Sequence, residues 1–403
     1  MNKIIRILPK FTGLVYLIIF CAFFKAIAYW ALTPYLPMYL SEFLGIGVEN
    51  SGYMIGASSL VGMFMSIFCG YIIDRYNKTL VFIVSLIIMA ICYIIFPFIS
   101  AIIVIVLLLM ITSITSSSLS IVSSAWFSIE LSEEESPKAF SLKYILENIG
   151  AMIGPVLGTV LISYDIRFPF IIAAGCLILT SIIFLVCSKF LVKSKEKVKI
   201  INTESPRVKE TFSSLLKDKR LLYFTIGGIL SMMVYGALAT FMSLFFSATL
   251  SYDIAYEKVA YISALNAGIV LITQYFVSSF IKKEKIIHWI TFAILTMIIG
   301  LVILMFNSNF LWLTISIIFL SIGEVTIVPA EYLFIIKITP EDRRGVYMGT
   351  QNLIFLGLSL SPIICGYLLN NFGVNAMFIT LCIILLASLL FYSKGYTKSN
   401  LNK

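Results

Sequence analysis

Residues 51–97 read SGYMIGASSLVGMFMSIFCGYIIDRYNKTLVFIVSLIIMAICYIIFP, which is two apolar runs joined by a short charged loop. Each run holds about 20 residues, the length at which a helix crosses roughly 30 Å of hydrocarbon. An apolar stretch in lipid must satisfy its own backbone N–H and C=O groups, so a helix is the form expected for each run. The stretch therefore predicts two membrane-spanning helices with a turn between them.

The same pattern recurs along all 403 residues, of which 60% are apolar and only 12% are charged. Soluble domains carry roughly 25% charged residues, so lipid must surround most of this chain. We predict an all-α integral membrane protein with twelve transmembrane helices in two pseudo-symmetric six-helix bundles. The predicted spans are 12–40, 51–73, 79–97, 101–127, 139–163, 169–190, 221–247, 257–281, 286–306, 310–336, 346–369 and 375–393.

Lys and Arg residues are distributed asymmetrically between the predicted loops. If the N-terminus is cytoplasmic, nearly all of the 29 lie on cytoplasmic segments, and only Arg167 and Lys258 fall on outer loops. Short loops rich in these residues are retained in the cytoplasm, so both termini are expected there. The net charge of +9 is then a topology signal and predicts no nucleic-acid partner.

The longest polar interruption, 188–220, separates six spans from six. It predicts one six-helix bundle over 1–190, a cytoplasmic linker over 191–220 and a second bundle over 221–403. Sliding one half past the other by 207 positions aligns Gly150 with Gly357 and Pro155 with Pro362. Such parallel repeats are typical of transporters that bind their substrate between two bundles and rock one against the other.

Cofactor and metal chemistry finds no support in the residue pattern. The seven cysteines lie inside apolar runs without metal-type spacing, and the one histidine, His288, stands beside lysines at a membrane edge. No nucleophile with a base and no phosphate-binding loop is present in the sequence. We therefore expect no cofactor, no metal and no enzymatic activity.

The charged loop within the opening stretch is Gly70-Tyr-Ile-Ile-Asp74-Arg75-Tyr-Asn77-Lys78. It resembles the signature loop of the major facilitator superfamily, G-x-x-x-D-R-x-G-R/K. Asn77 replaces the second glycine, which we attribute to the ease with which asparagine enters left-handed conformations. The resemblance implies a gating loop, in which Asp74 faces the positive end of the eleventh span and Arg75 and Lys78 pair with nearby acids. Gly70 would permit close helix approach.

The fifth span contains Gly150-Ala-Met-Ile-Gly154-Pro155-Val-Leu-Gly158. It resembles the G-x-x-x-G-P-x-x-G-G signature of the antiporter branch of the same superfamily. Glycines four apart form a smooth face for another helix, and proline removes one backbone hydrogen bond, so a packing role alone would require the same residues. Together with Gly323, Glu324 and Pro329, these motifs cover residues 70–366 and are similar to bacterial multidrug-resistance drug/proton antiporters, which implies a bacterial plasma membrane. The fourth span departs from that branch because it lacks the arginine associated with proton transfer.

Five ionisable residues fall at membrane depth, where each costs roughly 2.5–3.5 kcal/mol on insertion scales. They are Lys25, Lys143, Glu147, Glu324 and Glu331. Lys143 and Glu147 are one helical turn apart and predict an ion pair with a structural or gating role. Glu324 and Glu331 fall on nearly the same face of the tenth span, and both are expected to face a cavity.

The resemblance implies that spans 1, 4, 7 and 10 line the central cavity. Glu324 is our first candidate for proton coupling and Glu331 the second, with a structural role as the alternative for Glu331. Lys25 lies at about the depth of Glu324, so the two side chains could form an ion pair. The pair could also be a switch, in which a substrate carboxylate binds Lys25 while a proton binds Glu324. The remaining cavity-lining candidates are Ser117, Ser120, Ser124 and Tyr29.

These features predict a secondary active transporter that exports a small amphiphilic compound in exchange for protons by alternating access. Proton-symport uptake of a small, possibly anionic, solute is the alternative, because it requires the same fold and loop. The expected partners are the small-molecule substrate, protons and the lipid bilayer, with the chain working as a monomer.

Overall fold

The computed structural model describes residues 11–132, 135–191, 217–281, 285–306, 309–339, 347 and 351–400. Every regular element within these ranges is helical, so the predicted all-α class is confirmed. The long helices are α1 (Gly13–Trp30), α2 (Val48–Arg75), α3 (Lys78–Ile95), α4 (Ile102–Glu130), α5 (Ser136–Ile162), α6 (Phe168–Leu191), α7 (Lys219–Tyr235), α8 (Leu238–Thr249), α9 (Tyr252–Phe280), α10 (Ile286–Phe306), α11 (Phe310–Ile338) and α12 (Leu356–Asn400).

Nine helices in the described ranges are long and apolar enough to cross a membrane, and ten if α7 and α8 count as one bent span. Helix α2, with 28 residues, is also long enough to cross. Helix α12 runs over 45 residues but is broken at Gly373, whose φ of 81° and ψ of 179° are not helical. This break falls where the sequence predicts the loop between the last two spans. The helices are therefore consistent with twelve spans.

Two local expectations are wrong. The seventh predicted span, 221–247, is not one helix, because the chain bends by 46° between α7 and α8, after Tyr235. Lys258, which was expected on an outer loop although it falls at the very edge of the predicted span 257–281, lies within α9 because that helix begins earlier, at Tyr252, and it is 7% exposed. Its ammonium sits 5.9 Å and 5.6 Å from the ring centroids of Phe246 and Phe310. The aromatic faces attract the cation and allow its apolar stem to be buried.

The chain divides into two compact units. Unit 1 comprises the described residues of 11–34 and 61–191, and unit 2 comprises those of 35–60 and 217–400. Most of the predicted linker, 192–216, lies outside the described residues, and the predicted bundle limits stay predictions.

Residues 35–60 group with unit 2 because the beginning of α2 lies directly against α12. A Cβ on Gly52 would overlap the carbonyl oxygen of Pro362, so only glycine permits this approach. At the start of α2, the Glu49 carboxylate accepts hydrogen bonds from the side-chain amides of Asn370 and Asn371, at 2.8 Å and 3.0 Å. Backbone contact and hydrogen bonds together fix this helix pair.

Aromatic packing brings α7, α11 and α12 together inside unit 2. The ring of Phe224 on α7 stacks on Phe334 of α11, with centroids 3.8 Å apart. The same ring meets Tyr392 of α12 edge to face at 4.8 Å. All three side chains are almost fully buried. This cluster determines where the hydroxyl of Tyr392 points.

Candidate functional site

Glu331, on α11, lies in the interior of unit 2 and is only 4% exposed. Its carboxyl accepts hydrogen bonds from Ser231 Oγ and Tyr235 Oη of α7, each at 3.3 Å, and from Tyr392 Oη of α12. Ser231 and Tyr392 are themselves linked at 2.8 Å. Within the part of the chain that the structure describes, no Lys, Arg or His pairs with this carboxyl. The site is a buried carboxyl held by three hydroxyl groups.

We expected both carboxyls of the tenth span to face a cavity, but Glu331 instead points into unit 2 between α7 and α12. Seven residues of helix separate it from Glu324 by about 10.5 Å along the axis. That distance is enough for the two side chains to meet different neighbouring helices even though they share a face. Sequence spacing predicts which residues of a helix share a face, but it does not predict which neighbouring helix that face meets.

Glu324 is half-buried and has a different partner. Its Oε2 accepts a hydrogen bond of 3.0 Å from the Asn266 side-chain amide on α9. The same amide donates to Ser321 Oγ at 3.0 Å, one turn before Glu324 on α11. Glu324 therefore keeps one oxygen free of the bonds recorded among the described residues and is the more accessible of the two carboxyls.

The charged residues of unit 1 form a second cluster, on α1 and α5. Lys143 Nζ lies 2.8 Å from Glu147 Oε1, so the predicted ion pair is present. Lys25 is half-buried, and its ammonium lies 5.4 Å from the centroid of the Tyr29 ring. Glu147 attracts the Lys25 ammonium and Lys143 repels it. The cluster carries two positive charges and one negative charge.

The three candidate serines are spread along α4. Ser117 is half-buried, whereas Ser120 and Ser124 are exposed. Ser124 donates its hydroxyl to the backbone carbonyl of Ser120 at 3.0 Å, a bond within the helix. Their role in lining a cavity, and the pairing of Lys25 with Glu324, stay predictions.

The signature loop joins α2 to α3. Asn77 does not adopt a left-handed conformation, because its φ of −61° and ψ of 118° are extended. Its side-chain oxygen instead accepts the Leu80 N–H at 3.1 Å and caps the start of α3. Arg75 is exposed and Lys78 half-buried.

Two of the loop's predicted roles fall on side chains that the structure leaves out. Gly70 and Asp74 belong to helix α2, but the Asp74 side chain lies outside the described residues. The gating role that the resemblance implies for this loop stays a prediction.

The glycines of the fifth span bring α5 against α1 in unit 1. A Cβ on Gly150 would lie 2.8 Å from Ala26 Cβ, and one on Gly154 would lie 2.8 Å from Trp30 Cβ. Pro155 and Gly158 are buried on the same helix. The geometry accounts for Gly150 and Gly154 by close helix packing.

Four residues of these sites were not singled out from the sequence, namely Ser231, Tyr235, Tyr392 and Asn266. Each sits in an apolar helix where a single polar side chain is unremarkable. The usable signal was that a carboxyl at membrane depth requires donors from neighbouring helices. Within the described residues, no group of three or more His, Cys, Asp or Glu side chains is placed to hold a metal ion.

Comparisons with known proteins agree with this architecture. A sequence profile described as the Major Facilitator Superfamily matches residues 18–355 and 288–402. The chain is 30% identical over 372 residues to the MFS-type transporter YdeE of Escherichia coli (strain K12), covering 91% of each chain. It is 21% identical over 369 residues to a Na(+), Li(+), K(+)/H(+) antiporter of Planococcus maritimus, covering 85% of this chain and 86% of the relative.

Among solved structures, a mutant of the nucleoside transporter NupG superposes with a TM-score of 0.77 at 14% identity. The superposition covers 96% of this chain and 99% of that one. At this identity the likeness concerns the fold alone.

Proposed function

The chain belongs to the major facilitator superfamily of secondary transporters, and from that premise we propose that it exports a small amphiphilic compound in exchange for protons. In this proposal the protons enter as the compound leaves, while the access of the binding site alternates between the two sides of the membrane. The chain would act as a monomer in a bacterial cell membrane, with both termini in the cytoplasm.

The observation that carries the proton part of the proposal is the environment of Glu331. An ionised carboxylate buried without a cation costs far more free energy than a neutral carboxyl in the same place. Three hydroxyl groups surround Glu331, and hydroxyls can donate to the ionised form or accept from the neutral form. The site can therefore hold a proton and release it without rearranging its neighbours.

Two features favour export over uptake. The Planococcus maritimus relative is by its name a cation/proton antiporter, and the glycine and proline pattern of α5 resembles the antiporter branch. Proton-symport uptake would use the same buried carboxyl and is the competing function.

Everted membrane vesicles separate the two functions. Vesicles from cells that express the chain are energised until their interior is acidic, and acridine orange reports the proton gradient. We expect ethidium, 2-naphthoate or 2-naphthamide to release protons from these vesicles if it is a substrate, with no release from vesicles that lack the chain. Accumulation of the same compound by intact cells, together with protons, would show that the chain is an uptake system.

A further inference from the structure

Within the part of unit 1 that the structure describes, Lys25 is the ionisable residue at membrane depth whose charge its surroundings leave unbalanced. It is the thirteenth residue of α1, about 18 Å along the axis from Gly13. Among the described residues, its ammonium has neither a hydrogen-bond acceptor nor a carboxylate within ion-pair distance. Its recorded neighbour is the face of the Tyr29 ring at 5.4 Å, which holds a cation without neutralising it.

The nearest carboxylate along α5 is already engaged. Glu147 is paired with Lys143 at 2.8 Å, and these side chains are 31% and 14% exposed. The contact of Gly150 with Ala26 places Glu147 about level with Phe23, roughly 3 Å along the axis from Lys25. Glu147 thus attracts Lys25 from nearby while its own pair is satisfied by Lys143. The cluster keeps a formal charge of +1.

We propose that Lys25 binds an anionic group, a carboxylate or phosphate, of the transported compound. This inference rests on the proposed transport function and specifies the chemical class of its substrate. An ammonium group at membrane depth is costly unless an anion meets it, and this cluster lacks one negative charge. Glu147 tunes the site, because its charge competes with the incoming anion for the two lysines.

The rings beside Lys25 fit the apolar part of such a compound. Tyr29 and Trp30 follow Lys25 on α1 by four and five residues, and their rings meet edge to face at 5.7 Å. Both side chains are half-buried and therefore retain exposed ring surface. An amphiphilic anion with one aromatic ring would place its charge on Lys25 and its ring against this pair.

The site is tested with 2-naphthoate and its neutral isostere 2-naphthamide, whose binding to the purified full chain in phosphatidylcholine nanodiscs is followed by fluorescence anisotropy. We expect naphthoate to bind about tenfold more tightly than naphthamide, since a charge-assisted bond to the ammonium is the difference between them. Equal affinities for the two compounds, or no binding of naphthoate, would overturn the proposal.

Variants assign the effect to Lys25. Lys25→Gln is expected to weaken naphthoate binding about tenfold, and Lys25→Arg to retain it. The matched control is Lys337→Gln in unit 2, because Lys337 is also half-buried over a tyrosine ring, 4.9 Å from the centroid of Tyr396. It should leave naphthoate binding unchanged. An equal loss of naphthoate affinity in Lys25→Gln and Lys337→Gln would mean that binding depends only on the net charge of the protein. That result would contradict the assignment of the site to Lys25.

Glu147→Gln gives a result that a purely structural cluster would not. Removing the competing negative charge should tighten naphthoate binding by roughly threefold. Weaker or unchanged binding in this variant would contradict the proposed arrangement.

Nanodiscs with added phosphatidylglycerol test the other source of an anion, because a lipid headgroup seated on Lys25 would lower naphthoate affinity and overturn the assignment to substrate.

The two proposals fail separately. Naphthoate binding to Lys25 does not require proton movement, whereas the proposed function is read from proton release in vesicles. If protons move with a substrate but Lys25→Gln binds naphthoate normally, only the anion site fails. If naphthoate binds through Lys25 and no compound moves protons, only the proposed function fails.

Discussion

The two units carry opposite chemistry at membrane depth. Unit 1 has Lys25, Lys143 and Glu147, with one ion pair and an excess positive charge. Unit 2 has Glu324 and Glu331, whose partners among the described residues are an amide and hydroxyl groups and include no cation. Neutral donors leave a carboxyl free to gain or lose a proton, whereas a lysine partner fixes it as an anion. The difference suggests that unit 2 handles the proton and unit 1 handles an anion.

The two halves of the internal repeat share their helix packing but differ in their charged and polar residues. Gly150 lies against Ala26 of α1, and its repeat equivalent Gly357 lies against Ile229 of α7 in the same manner. The same alignment sets Glu331 against Ser124. The matched positions therefore share close helix packing and differ in their polar residues.

The largest effect is expected in proton flux, when a carboxyl of unit 2 is compared with the carboxyl of unit 1. Glu331→Gln keeps the shape of the side chain but replaces one acceptor oxygen with an amide group that cannot take up or release a proton, so substrate-driven proton flux should fall by about 100-fold or more. The matched change in unit 1, Glu147→Gln, should lower the flux by no more than roughly threefold. Both are measured in proteoliposomes with a pH-sensitive dye. Equal losses of proton flux in the two variants would contradict the proposal that unit 2 carries the proton and unit 1 binds an anion.

The next effect concerns the framework. A Cβ on Gly357 would overlap the backbone oxygen of Ile229, whereas one on Gly150 would lie 2.8 Å from the more yielding Ala26 Cβ. Gly357→Ala should therefore lower the melting temperature by roughly 5–10 °C, and Gly150→Ala by about half as much. Thermal unfolding of the detergent-purified variants measures this, and the reverse order would argue against equivalent packing in the two units.

A smaller effect separates the two carboxyls of unit 2. Asn266→Ala removes the one hydrogen bond recorded for Glu324, and loss of a single bond changes an equilibrium by about fivefold. We expect a change of that size in the apparent substrate affinity with little change in the proton-to-substrate ratio. Tyr392→Phe, which removes a donor to Glu331, should alter the ratio instead. This assignment of substrate affinity to Glu324 and of proton coupling to Glu331 is wrong if Asn266→Ala is the variant that changes the proton-to-substrate ratio.

The smallest effect lies outside the membrane, at the start of α7. Asp218 accepts hydrogen bonds from Arg220 and, at 3.0 Å, from Tyr347 Oη. Burial raises the pKa of Asp218, but these hydrogen bonds outweigh it and leave the pKa below its ordinary value of 3.8. The stabilisation is therefore complete above about pH 4 and is lost as the pH falls through the lower folded value.

Tyr347→Phe turns this position into its repeat equivalent, Phe140, and tests that contribution. The variant should melt a few degrees below the wild type at pH 7. The gap should narrow as the pH falls below 4, because a protonated Asp218 gains less from the hydroxyl. A gap that stays constant over the whole range would mean that the hydroxyl stabilises the fold without acting on the carboxylate.

Much of the framework could be predicted from the sequence, since it follows from short-range rules. Hydropathy gave the helices, and i, i+4 spacing gave the pair of Lys143 with Glu147. The break after Tyr235 was missed because a single glycine, Gly236, is a weak signal inside an apolar run. The capping role of Asn77 was missed because asparagine favours both left-handed backbone and helix N-caps, and its match to a glycine position indicated only the former.

The site was only half predictable. The sequence singled out Glu331 as a carboxyl at membrane depth, but its partners Ser231, Tyr235 and Tyr392 come from two other helices. Which helix lies beside a given face depends on packing such as the stack of Phe224 on Phe334, and periodicity along one helix does not contain that information.

The most direct test of the division between the units is the protonation state of their carboxyls. Infrared spectra of the purified full chain at pH 7 report the C=O stretch of a protonated carboxyl. The account predicts a protonated band that disappears in Glu331→Gln and remains in Glu147→Gln, because Glu147 forms an ion pair with Lys143 whereas Glu331 is held by hydroxyl groups. A band that survives Glu331→Gln unchanged, or one that Glu147→Gln removes, would contradict it.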